Sequence, residues 1–253
     1  MSAPEPAGRW ARRLTPRLEA VLGLVPPCAH LVDVGTDHAL VPLAAVQRGL
    51  AQRATGVDRR PAPLEAARRT LGAAGEGRVA LMLGEGLAGL SDVEVLVIAG
   101  LGAATMLQVL ATVDRRVTRH VVLAPLTEPA RLRRWAREAG WHLAGEALVA
   151  EGRRWFLALR LEPGAGPDPA YDVPGWEVEA LEALGPWLLR RGGPAYGAWL
   201  AAEQGRLGAL PPASGSSQAR RLAWLGRAVE AGAGQAGMVP PCATAPTPVS
   251  EEG

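Results

Sequence analysis

With 253 residues, the chain is long enough for one ordinary domain plus a smaller appendage, and its 48% apolar content excludes a disordered polymer. No apolar run approaches the ~18 residues of a membrane span; the first residues, "MSAPEPAGRWARR", have no apolar core of the secretory kind; and Cys28 and Cys242, far apart and without a CxxC, point to neither a disulfide framework nor a metal site, so the expectation is a cytoplasmic protein without a metal. The net charge is only +2, but all 27 basic residues are arginine, clustered for example at Arg12, Arg13 and Arg17 and at Arg131, Arg133, Arg134 and Arg137, in patterns that suit phosphate as well as a solvated surface.

Residues 17–25 carry Leu18, Val21, Leu22 and Val25 at helical spacing, and Pro26 and Pro27 end that helix. The run "LVDV" at 31–34 closes on Gly35 and predicts a buried strand. A helix follows over 39–50, with Pro42 in its first turn, where proline is tolerated. The second strand, 54–58, ends in Asp58, and the helix after it spans 60–75. A third strand covers 79–83, and a fourth, 93–100, is uniformly apolar as central parallel strands are. Then come a helix over 103–113, a fifth strand over 120–125 and a helix with a basic face over 128–140. Residues 141–161 read as a strand pair turning at Glu151-Gly152. Five strand–helix units and a terminal strand pair predict right-handed crossovers and an α/β, Rossmann-like doubly wound sheet over residues 1–162.

Beyond a Gly/Pro-rich linker, helical stretches over 176–191, 194–210 and 218–231 predict a helical extension occupying 163–231. Residues 232–253, rich in Gly, Ala, Pro and Thr, read as a disordered tail.

In a doubly wound sheet the ligand binds at the carboxyl ends of the strands, near the point where strand order reverses. Four stretches fall there: Asp33, Gly35, Thr36, Asp37 and His38; Asp58 with Arg59; Gly84, Glu85 and Gly86; and Ala99, Gly100 and Gly102. An acid ending the second strand suits a ribose diol, since a carboxylate accepts from both hydroxyls. The loop glycines leave room for a ligand against the backbone. A dinucleotide would need bare amides for its pyrophosphate, and no G-x-G-x-x-G is present. Asp37 opposes a pyrophosphate but tolerates a cationic cofactor such as S-adenosyl-L-methionine, or the exocyclic amine of a base.

"LVDVGTDHALVPL", "GVDRRPAPLEAA", "LGEGL", "VIAGLGAATMLQVL", "RLRRWAREAGW" and "LGPWLL" occur in this chain in the order seen in the bacterial tRNA adenine-22 N1-methyltransferase family, which the chain resembles over about residues 11–228. The resemblance implies a class I methyltransferase fold with a coiled-coil-like C-terminal helical extension, S-adenosyl-L-methionine as cofactor, and tRNA as partner. It places Asp33, Gly35 and Thr36 to His38 against the methionine part of the cofactor, Asp58 on the ribose, Glu85 beside the adenine, and Ala99, Gly100 and Gly102 in the loop after the fourth strand. Two departures stand out: the family's Gln-Pro-Asn after the fifth strand is here Ala124-Pro125-Leu126, and its Gly-Pro after the second strand is Arg60-Pro61.

The implied reaction is methyl transfer to N1 of an adenine extruded from tRNA. Asp37 would stabilise the charge growing on the base, and His38 would orient Asp37 or take a proton; His38 also reads as a cap or core residue. The substrate contacts would fall on Arg12, Arg13, Pro125, Arg131 and Arg134, with the tRNA backbone on Arg12, Arg13 and Arg17, on the helix carrying Arg131 to Arg137, and on the extension. The alternatives are a methyltransferase of the same fold with another RNA or a small-molecule substrate, and a tRNA-binding protein without catalysis. A nicotinamide dehydrogenase is disfavoured by the missing glycine fingerprint.

Overall fold

The computed structural model of the chain describes residues 14–75, 77–209 and 212–232. Arg12, Arg13, Cys242 and the predicted tail past Gly232 lie outside the described residues. The α-helices are α1 (Pro16–Leu22), α2 (Leu40–Gln47), α3 (Pro61–Leu71), α4 (Ala103–Leu110), α5 (Pro129–Glu138), α6 (Val178–Leu184), α7 (Pro186–Arg191), α8 (Pro194–Gly208) and α9 (Ser217–Glu230). The strands are β1 (Cys28–Val34), β2 (Ala51–Asp58), β3 (Val79–Leu83), β4 (Val95–Ala99), β5 (His120–Ala124), β6 (Trp141–Glu151) and β7 (Arg154–Pro163). Five of these helices, α1, α3, α5, α7 and α8, open with proline at their first positions, where the missing N–H has no intrahelical partner to lose.

The seven strands form one sheet in the order β3-β2-β1-β4-β5-β7-β6. β1 to β5 run parallel, and β7 pairs antiparallel with both β5 and β6. The order reverses between β1 and β4, which makes their carboxyl ends the switch point. The predicted alternation lapses once: residues 84–94 between β3 and β4 hold no α-helix, so there are five parallel strands but not five strand–helix units.

Both faces of the central strands are covered. Leu96 and Ile98 of β4 pack with α4 and α5, and Val95 and Val97 pack with α1 and α2; all four are fully buried. The alternation also sets Asp33 on the α1/α2 side, between Val32 and Val34, which face α4. At the far edge, β3 is less covered, and Leu83 is 59% exposed.

The stretch 176–191, predicted as one helix, breaks into α6 and α7 at Gly185-Pro186. Gly185 has φ +88°, and a Cβ there would lie 2.8 Å from Arg133 Nη2 and 2.9 Å from Glu146 Oε2. Those atoms belong to a buried ion pair: Arg133 Nη2 is 2.6 Å from Glu146 Oε1, with the two side chains 2% and 0% exposed. Glu146 Oε2 also accepts the first N–H groups of α7, from Trp187 and Leu188, and Arg133 Nη1 donates to the Glu182 carbonyl. α5, β6, α6 and α7 thus meet on one pair of charges. α8 and α9 fold back on each other, with Glu203 bonded to Arg221 and the Leu207 carbonyl to Gln218, and their apolar cluster continues onto Leu148 and Leu157 of the sheet.

Candidate functional site

The turn after β1 begins by spending its amides. Gly35 N–H and Thr36 N–H both donate to the Val57 carbonyl of β2, at 2.8 and 3.1 Å. A phosphate-binding turn needs such amides free, so this one is not built for a pyrophosphate. Gly35 has φ +79°, and a Cβ there would meet the Leu101 side chain at 3.5 Å. Asp37 and Ala39 then take left-handed backbone, φ +49° and +53°, which costs an L residue roughly 1–2 kcal/mol each. Ala39 N–H closes the turn on the Thr36 carbonyl at 2.9 Å. The result is to lift Asp37 and His38 outward, 62% and 56% exposed, with Asp37 Oδ2 and His38 Nε2 3.7 Å apart.

Behind this turn lie two buried acids. Asp33 is 4% exposed and Asp58 5%. Burial pushes the Asp33 carboxyl up to about 7, eased by the Thr36 hydroxyl and raised further by the Asp58 charge. Asp58 Oδ1 accepts Arg60 N–H at 2.9 Å and lies 3.5 Å from Arg60 Nε. Its Oδ2 has no donor among the described residues, which is the arrangement a diol would complete.

Asp58 opens onto a cavity of about 1080 Å³ that starts at the strand ends and runs down beside α4. Of the residues singled out in the sequence, Gly35, Asp58, Arg59, Gly84, Glu85 and Gly86 line it; Asp33, Thr36, Asp37, His38, Ala99, Gly100 and Gly102 do not. Thr36 packs against Gly56, where a Cβ would come within 2.8 Å of its side chain. The sequence reading missed Thr105, Gln108 and Thr112, which turn one face of α4 and its last turn toward the cavity. The signal was there in "AATMLQVLAT", polar at i, i+3 and i+7 with apolar Met106 and Leu110 between. Among the described residues, no group of three or more His, Cys, Asp or Glu side chains is placed to hold a metal.

The loops after β4 and β5 are joined to each other. Gly100 N–H donates to the Ala124 carbonyl at 3.0 Å, and Leu126 N–H to the Leu101 carbonyl at 2.9 Å. Leu101 is the one residue of the Ala99 to Gly102 loop that lines the cavity, while Gly102 caps the start of α4. Pro125 is buried, and Leu126 is 45% exposed. Glu128, two residues on, is again left-handed at φ +53°.

The arginines expected to meet the substrate are placed unevenly. Arg134 Nε is bonded to Glu182 Oε2 at 2.8 Å, Arg137 also reaches Glu182, and Arg131 sits 3.7 Å from Glu128. Much of the basic face of α5 therefore ties the extension to the sheet.

A family model described as a methyltransferase domain matches residues 14–159. The tRNA (adenine(22)-N(1))-methyltransferase of Bacillus subtilis (strain 168) is 27% identical over 183 residues, 70% of this chain and 76% of that protein. The crystal structure of the B. subtilis m1A22 tRNA methyltransferase TrmK has a TM-score of 0.70 at 23% identity, covering 88% of this chain and 99% of that one. M. capricolum TrmK in complex with S-adenosyl-homocysteine has a TM-score of 0.68 at 21% identity, covering 86% and 95%. The last two are likenesses of fold, and they extend past the sheet into the helical extension.

Proposed function

The chain belongs to the methyltransferase-domain family, and from that premise we propose that it transfers the methyl group of S-adenosyl-L-methionine to N1 of an adenine in tRNA. The observation that carries the cofactor reading is the switch point itself: the turn amides are spent on Val57, while the buried Asp58 carboxylate faces a cavity with one oxygen free. That set suits a nucleoside with a diol and no phosphate. The substrate reading rests on the B. subtilis relative, whose name gives this reaction.

S-adenosyl-L-methionine, when bound, supplies a methyl group carried on a positively charged sulfur. Asp58 accepts hydrogen bonds from its ribose, and Glu85 flanks its adenine. Gly35 and Gly100, both at positive φ, keep side chains out of its path. Adenine N1 is a neutral nucleophile at pH 7, so the chain needs no strong base and works by holding the base in line. Reaching N1 requires the nucleotide to leave its stack. Asp37, exposed and lifted by its left-handed backbone, sits beside the amino group of the target and stabilises the positive charge that grows on the base. His38 orients Asp37 from 3.7 Å. The extension and the arginines that no carboxylate of the chain holds contact the tRNA backbone.

One observation favours a second reading. Leu126 presents an apolar side chain where the resembled family has an amide, which fits a same-fold methyltransferase with a different target. Both readings keep the cofactor, so the test separates them. Asp58→Asn should weaken S-adenosylhomocysteine binding in calorimetry by about tenfold or more while the melting temperature holds. Transcripts of one tRNA with adenine or guanine at the methylated position should be modified only as adenine. Equal modification of both, or none of either by a cofactor-binding protein, would move the assignment to another target.

A further inference from the structure

We propose that Arg17 is an oxyanion-binding residue of the transfer site, holding through its guanidinium either the carboxylate of the methyl donor or a phosphate beside the target nucleotide. The inference rests on the methyltransferase reading and adds to it a residue that the strand-end motifs do not contain.

Arg17 lies in the first turn of α1, and its backbone N–H is fixed by Glu151 Oε2 at 3.1 Å. Glu151 stands at the tip of the β6–β7 hairpin. Because β7 runs antiparallel to β5, with Leu159 opposite Leu123, residues 154–157 project past the carboxyl end of β5. The tip therefore overhangs the same ends of the sheet as the loops after β1 and β4.

The Arg17 side chain is held in one plane there. Its Cζ is 5.2 Å from the centre of the Phe156 ring, on which Arg154 also rests at 5.5 Å. A ring of this kind fixes a guanidinium by its face and leaves the N–H edge to other partners. That edge points at the turn after β4: Nη1 is 4.0 Å from where a Cβ on Gly100 would stand, and Gly100 has φ +78°.

What is missing is an acceptor. Arg17 Nε is buried without a hydrogen-bond partner, and no carboxylate lies within 4 Å of the guanidinium among the described residues. Glu151, whose carboxyl the Arg17 charge helps to lower, accepts the Arg17 backbone N–H rather than the guanidinium. Arg60, Arg131 and Arg134, by contrast, each have a carboxylate. The Nη edge, also without a partner among the described residues, is the one that a ligand bringing oxygen atoms would meet beside Gly100, and a charged donor left without an acceptor is costly. A fork beside a glycine turn matches two oxygens of one charged group, which both a carboxylate and a phosphate offer.

Arg17→Ala and Arg17→Lys test this in the full chain, with melting temperature as the folding control. If the group held is the donor's carboxylate, Arg17→Ala weakens S-adenosylhomocysteine by about tenfold or more and leaves 5′-methylthioadenosine, which lacks that carboxylate, unchanged. If it is an RNA phosphate, S-adenosylhomocysteine binding holds, the KM for tRNA rises by about tenfold or more, and the salt dependence of tRNA binding loses about one contact. Arg17→Lys keeps the charge without the fork and falls between. Unchanged values for all three ligands, or an equal loss for both small molecules, would overturn the inference. A wild-type chain that binds no S-adenosylhomocysteine overturns the methyltransferase reading and this inference together, a result distinct from a binding-competent wild type indifferent to Arg17→Ala.

Discussion

Asp33 shows how a single position answers to both fold and function. With His30 it is one of two buried polar residues in β1, and it lies on the α1/α2 side with Asp58 as its charged neighbour. Its carboxyl, pushed by burial to about 7 from an ordinary 3.8, holds a proton in the folded chain that the unfolded chain has lost. Stability therefore falls as pH rises from about 4 to about 7, and is level above that. Urea midpoints of the ligand-free chain should be higher at pH 5 than at pH 8 by this contribution, and Asp33→Asn should remove it, leaving the variant more stable than wild type at pH 8. An unchanged difference in the variant would mean that Asp33 is ionised throughout. The acid itself was legible in "LVDVG", since a charge in a buried strand end stands out. Its proximity to Asp58 was legible only as chain order, because neither the parallel register of β1 on β2 nor the burial of both carboxyls is carried by spacing. The left-handed Ala39 gave no signal, and Asp37 only the weak one that aspartate tolerates such backbone; neither is the glycine that marks it.

The same contrast holds for the elements. β1, β2, β4 and β5 could be read from short apolar runs closing on Gly, Asp or Pro, and the basic helix α5 from its period. What could not be read was which of its arginines turn inward. Arg133 is 2% exposed while Arg134 is mostly in solvent, and only the packing of α6 and α7 against β6 decides this. The break at Gly185 was missed because helical periodicity runs on through it, although Gly-Pro is itself a stop signal. This corner makes a stability prediction. Glu146→Ala leaves Arg133 buried without its charge partner and strips α7 of its first acceptor, so it should cost about 3–5 kcal/mol. The paired change Arg133→Met with Glu146→Leu should cost less than Glu146→Ala alone, since it removes both charges and keeps the volume. Denaturant titration of the three chains checks this, and a larger loss in the pair would show that the ion pair itself is net stabilising.

At the scale of the molecule, arginine is used in two ways. Some arginines are held by the chain's own carboxylates: Arg133 by Glu146, Arg134 and Arg137 by Glu182, Arg221 by Glu203. They fasten the extension to the sheet and fold its last two helices together. Others are exposed at the strand ends, Arg59 after β2 and Arg153 and Arg154 at the β6–β7 turn, where a polyanion would meet them. A net charge of +2 hides this division, which is why composition alone did not point to RNA. No helix among the described residues is long and apolar enough to cross a membrane. The proposed methylation of adenine N1 in tRNA is measured most directly by transfer of label from S-adenosyl-L-methionine to total bacterial tRNA that lacks the modification, followed by nucleoside analysis. The wild-type chain should give labelled N1-methyladenosine, and Asp37→Ala should abolish it. Label in a different nucleoside, or unlabelled tRNA beside a chain that still binds S-adenosylhomocysteine, would contradict it.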